Sequence, residues 1–197
     1  MQILFETGLT VSQYIEQRAW EKAKLDHCPF HPEGGCGLAK HGTYFRKFPE
    51  YCLIARWYCL KAHQSISLLP DFFACQFPGT LNEIEEVVNT AENGKSLEQT
   101  AAELRPEITL ASALRWLRRR IKHVFEILTT VKGMIGLKYP PILKLWRRQY
   151  ATKKLLQQLR IQVAGHLHAF PPILGLAPRP ESRYFTKPPS NNQWGLS

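Results

Sequence analysis

Apolar residues change their spacing twice along this chain, and each change marks a different kind of element. Val11, Tyr14, Ile15 and Ala19 recur at helical intervals behind Thr10 and Gln13, whose separation fits a capping box, so a short helix is expected over 11–24. From His27 to His41 no helical period survives, and the segment is rich in Cys, His, Gly and Pro. Two β-like runs follow, "GTYFRKF" and "YCLIARWYC", separated by Pro49-Glu50, and then "QSISLLP" as a third strand. This region reads as a small antiparallel sheet.

After "FPG" the period becomes helical again. Thr80 with Glu83 predicts a capped helix near 81–91, "ENGK" a turn, and Ser96 with Gln99 a second capped helix near 97–104, ended by Pro106. The clearest pattern is Leu110, Leu114, Leu117, Ile121, Val124, Phe125 and Leu128, which predicts a third helix over 110–128. Pro140 and Pro141 open a further helical stretch to about Phe170, with Trp146, Leu155, Leu159 and Val163 as its apolar line. The last 27 residues hold six prolines and little periodicity, so a tail or extended arm is expected from 171.

The expected fold class is α+β: a small antiparallel zinc-ribbon-like β domain, then a trihelical helix-turn-helix and a further helix. The boundaries this implies are an N-terminal helix at 1–26, the β domain at 27–78, the helix-turn-helix at 79–133, a helical segment at 134–170 and the Pro-rich tail at 171–197.

Composition adds a compartment. Hydrophobic residues make up 44% of the 197, enough for a core, and no apolar run approaches the roughly 20 residues of a membrane helix. The start "MQILFETGLTVSQYIEQ" lacks a basic leader and a small-residue cleavage site, so a cytoplasmic protein without a membrane partner is expected. Five cysteines, an odd number, then fit reduced thiols and metal ligation better than disulfides.

Two groups of residues offer a structural metal site. "CPFHPEGGC" supplies Cys28, His31 and Cys36, and "RWYCLKAHQ" supplies Cys59 and His63. A structural zinc takes four N or S ligands, usually as two close pairs on separate turns. Cys28-x2-His31 with Cys59-x3-His63 meets that need; Cys28, Cys36, Cys59 and His63 would also make four, and spacing does not choose between His31 and Cys36. One structural Zn2+ is the expected cofactor. Cys52 and Cys75 have no partner at ligand spacing and read as small core residues. The nearby acids are few, Asp26, Glu33 and Glu50, and no His-Glu-x-x-His spacing occurs, so a catalytic zinc is disfavoured.

Charge sharpens the functional reading. Of the net +10, residues 105–160 carry fourteen Lys and Arg against Glu107 and Glu126, a local excess of twelve, leaving −2 for the rest. On a helical wheel the apolar residues of 110–128 share one face while Arg115, Arg118, Arg119 and Lys122 lie opposite. A short helix, a turn and an amphipathic second helix with outward arginines is the pattern of a helix-turn-helix. Thr109, Ser112, Arg115, Trp116 and Arg119 would then face double-stranded DNA, with arginine forks suited to guanine edges and phosphates. Basic residues continue through Lys144, Arg147, Arg148, Lys153 and Lys154.

The order Cys-Pro-x-His, "HGTYFRK", "RWYC", "SLLPDF" and "LRWLRRRI" resembles a bacterial domain family of unknown function related to the zinc ribbons of transposases, over roughly residues 28–128. The resemblance implies Cys28, His31 or Cys36, Cys59 and His63 as metal ligands and Arg115 to Arg120 as part of a DNA-reading helix. It also implies a mobile-element or transcriptional setting in a bacterial cytoplasm, at the nucleoid, with a transposase as a candidate partner and homodimerisation left open. The chain departs from the commoner two-CxxC ribbon. With only Asp26 and Asp71 as aspartates, it lacks the carboxylates of a transposase nuclease, so no enzyme activity is expected. The competing expectation is an adaptor in which the ribbon and the helix after Pro141 dock on a transposase or other mobile-element component, with binding that survives high salt and needs Trp146 or the tail.

Overall fold

The computed structural model describes residues 1–47 and 52–176. The Pro49-Glu50 break, Glu50 and the tail beyond 176 lie outside the described residues. In chain order the elements are β1 (Gln2–Phe5), α1 (Val11–Glu16), α2 (Ala19–Lys22), β2 (Leu38–Arg46), β3 (Cys52–Cys59) and β4 (Gln64–Pro70). Then follow α3 (Leu81–Asn93), α4 (Leu97–Leu104), α5 (Leu110–Ile135), α6 (Leu143–Gln149), α7 (Leu155–Gln162) and a 3-10 turn at Ala164–Ala169.

The α+β class is as expected, but the sheet is mixed. Its order is β1-β4-β3-β2, antiparallel in β2/β3 and β3/β4 and parallel between β1 and β4. Four residues, "QILF", carry too short a pattern to announce a strand, and their partner lies far along the chain, at Gln2↔Ser67 to Phe5↔Pro70. The helix expected over 11–24 is broken where Arg18 adopts a left-handed conformation (φ 48°, ψ 45°). The break lets Tyr14 and Trp20 both turn inward, ring centroids 5.7 Å apart, with the Tyr14 hydroxyl donating to the Leu53 carbonyl at 3.1 Å.

One core joins sheet and helices. Cys52, Ile54, Leu68 and Leu69 from the strands pack with Leu81, Ile84, Val88, Val124, Ile127, Leu128 and Trp146 from the helices. The residues on either side of the boundary expected at 78/79 thus share their buried surface. Cys52 and Cys75 are fully buried in it, as expected.

The helix caps are those the sequence announces. Thr80 Oγ1 accepts the Glu83 N–H at 3.1 Å while Glu83 Oε2 accepts the Thr80 N–H at 2.7 Å. Thr80→Ala should therefore cost about 1 kcal/mol and lower the melting temperature by about 2–4 °C; an unchanged transition would show that the cap is replaced by water.

Helix α5 runs past the expected end at 128 because Val131 is buried and Gly133 lies on the exposed side; it stops at Gly136 in the left-handed region (φ 67°). Its buried face is shifted from the expected one, with Ala113, Leu117, Val124, Ile127, Leu128 and Val131 inside. Leu110 (47% exposed) and Phe125 (52%) face outward.

The single stretch expected from 140 to 170 is three short pieces, and α3 organises them. Glu92 accepts the N–H groups of Leu143 and Lys144 at 2.9 and 2.7 Å, and Glu85 those of Leu155 and Leu156 at 3.0 and 2.9 Å. Seven residues apart, two carboxylates on one face of α3 cap the starts of α6 and α7. Burial pushes the Glu85 carboxyl above its usual range, against the pull of those two N–H groups and of Arg147. The first residues of the expected tail also belong to the core: Ile173 and Leu174 are fully buried, and Ile173 exchanges backbone hydrogen bonds with Cys75 at 2.9 and 3.0 Å.

Candidate metal centre and basic helix

The β2/β3 register pairs Leu38 with Cys59, so the end of the hairpin brings the Cys28–Cys36 loop against the last residue of β3. The loop folds back through Gly34 and Gly35, at φ 84° and 68°, a region that glycine enters without strain. Three donors thereby arrive from one loop and the fourth from the strand. The donor atoms of Cys28, His31, Cys36 and Cys59 all lie within 4.8 Å of one another, close enough to hold one metal ion. His31 Nδ1 is 3.7 Å from Cys28 Sγ and 3.4 Å from Cys59 Sγ. The Ala62 N–H points at Cys59 Sγ from 3.3 Å, and the Lys61 N–H donates to the Cys36 carbonyl at 3.1 Å.

His31 and Cys36, left as alternatives by their spacing, thus both belong to the group, and His63 stands outside it. The turn after Cys59 carries His63 into the left-handed region (φ 51°), where its exposed ring meets the Tyr58 hydroxyl at 3.3 Å. The expected two-plus-two arrangement is three plus one, because the double-glycine turn returns Cys36 to the site.

Electrostatics around the thiols is uneven. Burial pushes the Cys28 thiol up, but hydrogen bonds with His31, the Phe30 backbone and Cys36 outweigh it and hold it at about 7. Burial and the facing thiols of Cys28 and Cys59 raise Cys36. Three sulfurs aimed at one point cannot all ionise unless a cation shares that point.

The basic helix is more selective than its sequence. Helices α3, α4 and α5 pack on one another around Ala101, Ala113 and Leu117. Thr109 caps α5, its Oγ1 accepting the Ser112 N–H at 3.4 Å, and Arg115 donates to Ser112 Oγ at 3.0 Å. Arg115, Arg118, Arg119 and Lys122 are exposed, as the wheel requires. Trp116 is half-buried, with Arg105 and Arg120 over its ring at 5.0 and 4.0 Å. Arg120 itself turns inward and is 9% exposed. Farther on, Arg147 is held by Glu85 at 3.3 Å and Glu86 at 2.8 Å, and Arg160 is fully buried. Part of the basic excess, Arg120, Arg147 and Arg160, is therefore structural. Trp146, the expected docking anchor, is buried, its Nε1 donating to the Pro140 carbonyl at 2.8 Å.

No protein-family model, curated protein or solved structure matches the chain. Among the described residues no helix is long and apolar enough to cross a membrane.

Proposed function

We propose that this is a non-enzymatic DNA-binding protein in which one structural zinc ion fixes the hairpin end and α5 meets duplex DNA as the second helix of a helix-turn-helix. The zinc reading is supported by the donor set. Zinc bound tetrahedrally by sulfur at about 2.3 Å and nitrogen at about 2.0–2.1 Å keeps those atoms about 3.5 Å apart, and the His31 separations of 3.4 and 3.7 Å fit. Four protein donors fill a tetrahedral shell and leave no position for a reacting water, which favours structure over catalysis.

The observation that carries the DNA reading is the set of guanidiniums on α5 without a carboxylate. Arg115, Arg118 and Arg119 are exposed, and among the described residues none of them forms an ion pair. Phosphate neutralisation by such residues would supply most of the affinity, and the first turns of α5 whatever sequence preference exists. The resemblance to transposase zinc ribbons adds a mobile-element or regulatory setting, with a transposase as a candidate partner.

Contact with three or four phosphates predicts that affinity for random duplex DNA falls roughly 40- to 150-fold between 50 and 200 mM salt. Arg115→Gln and Arg118→Gln should each weaken binding to all sequences and reduce the salt slope by about one. Duplex binding indifferent to salt and to both substitutions would refute the reading.

A further inference from the structure

Between the start of α3 and the first half of α5 lies a cavity of about 720 Å³, within the size range of small-molecule sites. Its lining is unusual in charge. Arg105, Arg115, Arg119 and Arg120 all reach it, together with Trp116 and Phe77. The flat groups form one connected series. Arg105 and Arg120 lie over Trp116 at 5.0 and 4.0 Å, and Arg120 and Arg119 over Phe77 at 4.9 and 5.2 Å. The series Arg105, Trp116, Arg120, Phe77, Arg119 thus alternates guanidinium with aromatic ring.

The counter-charge is incomplete. Against four arginines the wall carries one carboxylate, Glu83, which accepts the Thr80 N–H through Oε2 and whose charge also acts on Arg120. Arg105 pairs with Glu107, but among the described residues Arg115, Arg119 and Arg120 form no ion pair. Burial, then Arg105 and Arg119, pull the Arg120 guanidinium down to about 10, still charged at neutral pH. Like charges gathered in a concave, partly apolar space raise the local concentration of anions.

Nucleobases stack on guanidinium planes as well as on aromatic rings, and phosphates take the fork of N–H groups. A ligand that is flat at one end and anionic at the other meets both properties, whereas a bare oxyanion uses only one. We propose that this cavity binds a single unpaired nucleotide, its base stacked on the exposed end of the Arg–aromatic series at Arg119 and its phosphate on Arg115. The proposal deepens the DNA reading of α5 and rests on it for the setting, while the cavity chemistry stands by itself. The nucleotide can come from a single strand or from a free nucleotide pool.

The test uses the full zinc-loaded chain and calorimetric titration with four probes: a 12-nucleotide oligothymidylate, the same strand with abasic sugars, free thymidine 5′-monophosphate and inorganic phosphate. The intact strand should bind about 5- to 100-fold tighter than the abasic one, and Arg119→Gln should erase that preference. Arg119 is exposed, so the variant should keep its fold, checked by circular dichroism and zinc content. Saturation by the mononucleotide as tightly as by the strand would support the site with a free nucleotide as its source; a preference for the strand would assign nucleic acid. Equal affinity for intact and abasic strands, a preference that survives Arg119→Gln, or inorganic phosphate binding as tightly as the mononucleotide would overturn the proposal. Loss of salt-dependent duplex binding with the base preference intact would remove only the earlier reading.

Discussion

Cys59→Ser is expected to weaken metal binding by about 10²–10³-fold and to release the Cys28–Cys36 loop. Structural zinc sites contribute about 10–16 kcal/mol in small domains, so one of four ligands accounts for about 3–4 kcal/mol, which is that factor in affinity. The local consequence follows from how little else holds the site. Cys28, Cys36 and Cys59 form their own small cluster, apart from the main core, and among the described residues the partly buried apolar side chains packed on it are Phe30, Leu38 and Ala62. Three thiols and a half-buried imidazole bury too little apolar surface to order a glycine-rich loop unaided.

The main core shares no residue with that cluster, so its amides should keep their protection while those of residues 28–36 and 59–62 exchange freely. Metal content by elemental analysis and hydrogen exchange read the two effects separately. Two further variants fix the ligand set: Cys36→Ser should lose metal like Cys59→Ser, and His63→Ala should retain it. Full occupancy in Cys59→Ser, or a loss in His63→Ala as large as in Cys36→Ser, would overturn the group of four.

The features legible in the sequence are those decided within a few residues. The capping boxes at Thr10 and Thr80 and the cap at Ser96 form because each side chain meets an N–H three positions on. Cys28 and Cys59 were legible as partners because a hairpin lies between them. Their companions were not, since spacing says nothing of the positive φ at Gly34 and Gly35 that returns Cys36, or of the turn that sends His63 to Tyr58. The parallel pairing of β1 depends on a distant strand and leaves no local trace.

The arginines show the same limit more sharply. On the wheel Arg118, Arg119 and Arg120 look alike, yet Arg120 is buried against Phe77, a residue from before α3 that no helical period connects to α5. Arg147 and Arg160 add to the formal basic excess, but one is spent on Glu85 and Glu86 and the other on buried carbonyls. Counting charge along the sequence overstates the surface available to phosphate. What distinguishes Arg115, Arg118 and Arg119 is that among the described residues none forms an ion pair, whereas exposed Lys122 on the same helix meets Glu126 at 3.8 Å.

Arg160→Met should destabilise the protein by about 3–5 kcal/mol, a large share of the about 5–15 kcal/mol that holds a domain folded. The guanidinium is completely buried and donates to four backbone carbonyls: Nε to Leu174 at 2.9 Å, Nη2 to Ile173 at 2.8 Å, and Nη1 to Asp71 at 3.2 Å and to Phe73. It ties the segment after the 3-10 turn to the chain leaving β4. Burial pulls the guanidinium down to about 10, which leaves it charged at neutral pH and able to donate. Methionine fills much of the volume but takes the donor from the buried Leu174, Asp71 and Phe73 carbonyls, while the Ile173 carbonyl keeps the Cys75 N–H, and each buried acceptor left unpaired costs about 1–3 kcal/mol. Arg160→Lys should recover only part of the loss, because one ammonium cannot span four acceptors arranged around a planar fork. The denaturant midpoint reads the total, and hydrogen exchange at Cys75 and Ile173, which bond each other, reads whether the segment detaches first. A methionine variant within 1 kcal/mol of the parent would mean that these carbonyls find other donors and that Arg160 is not the tie.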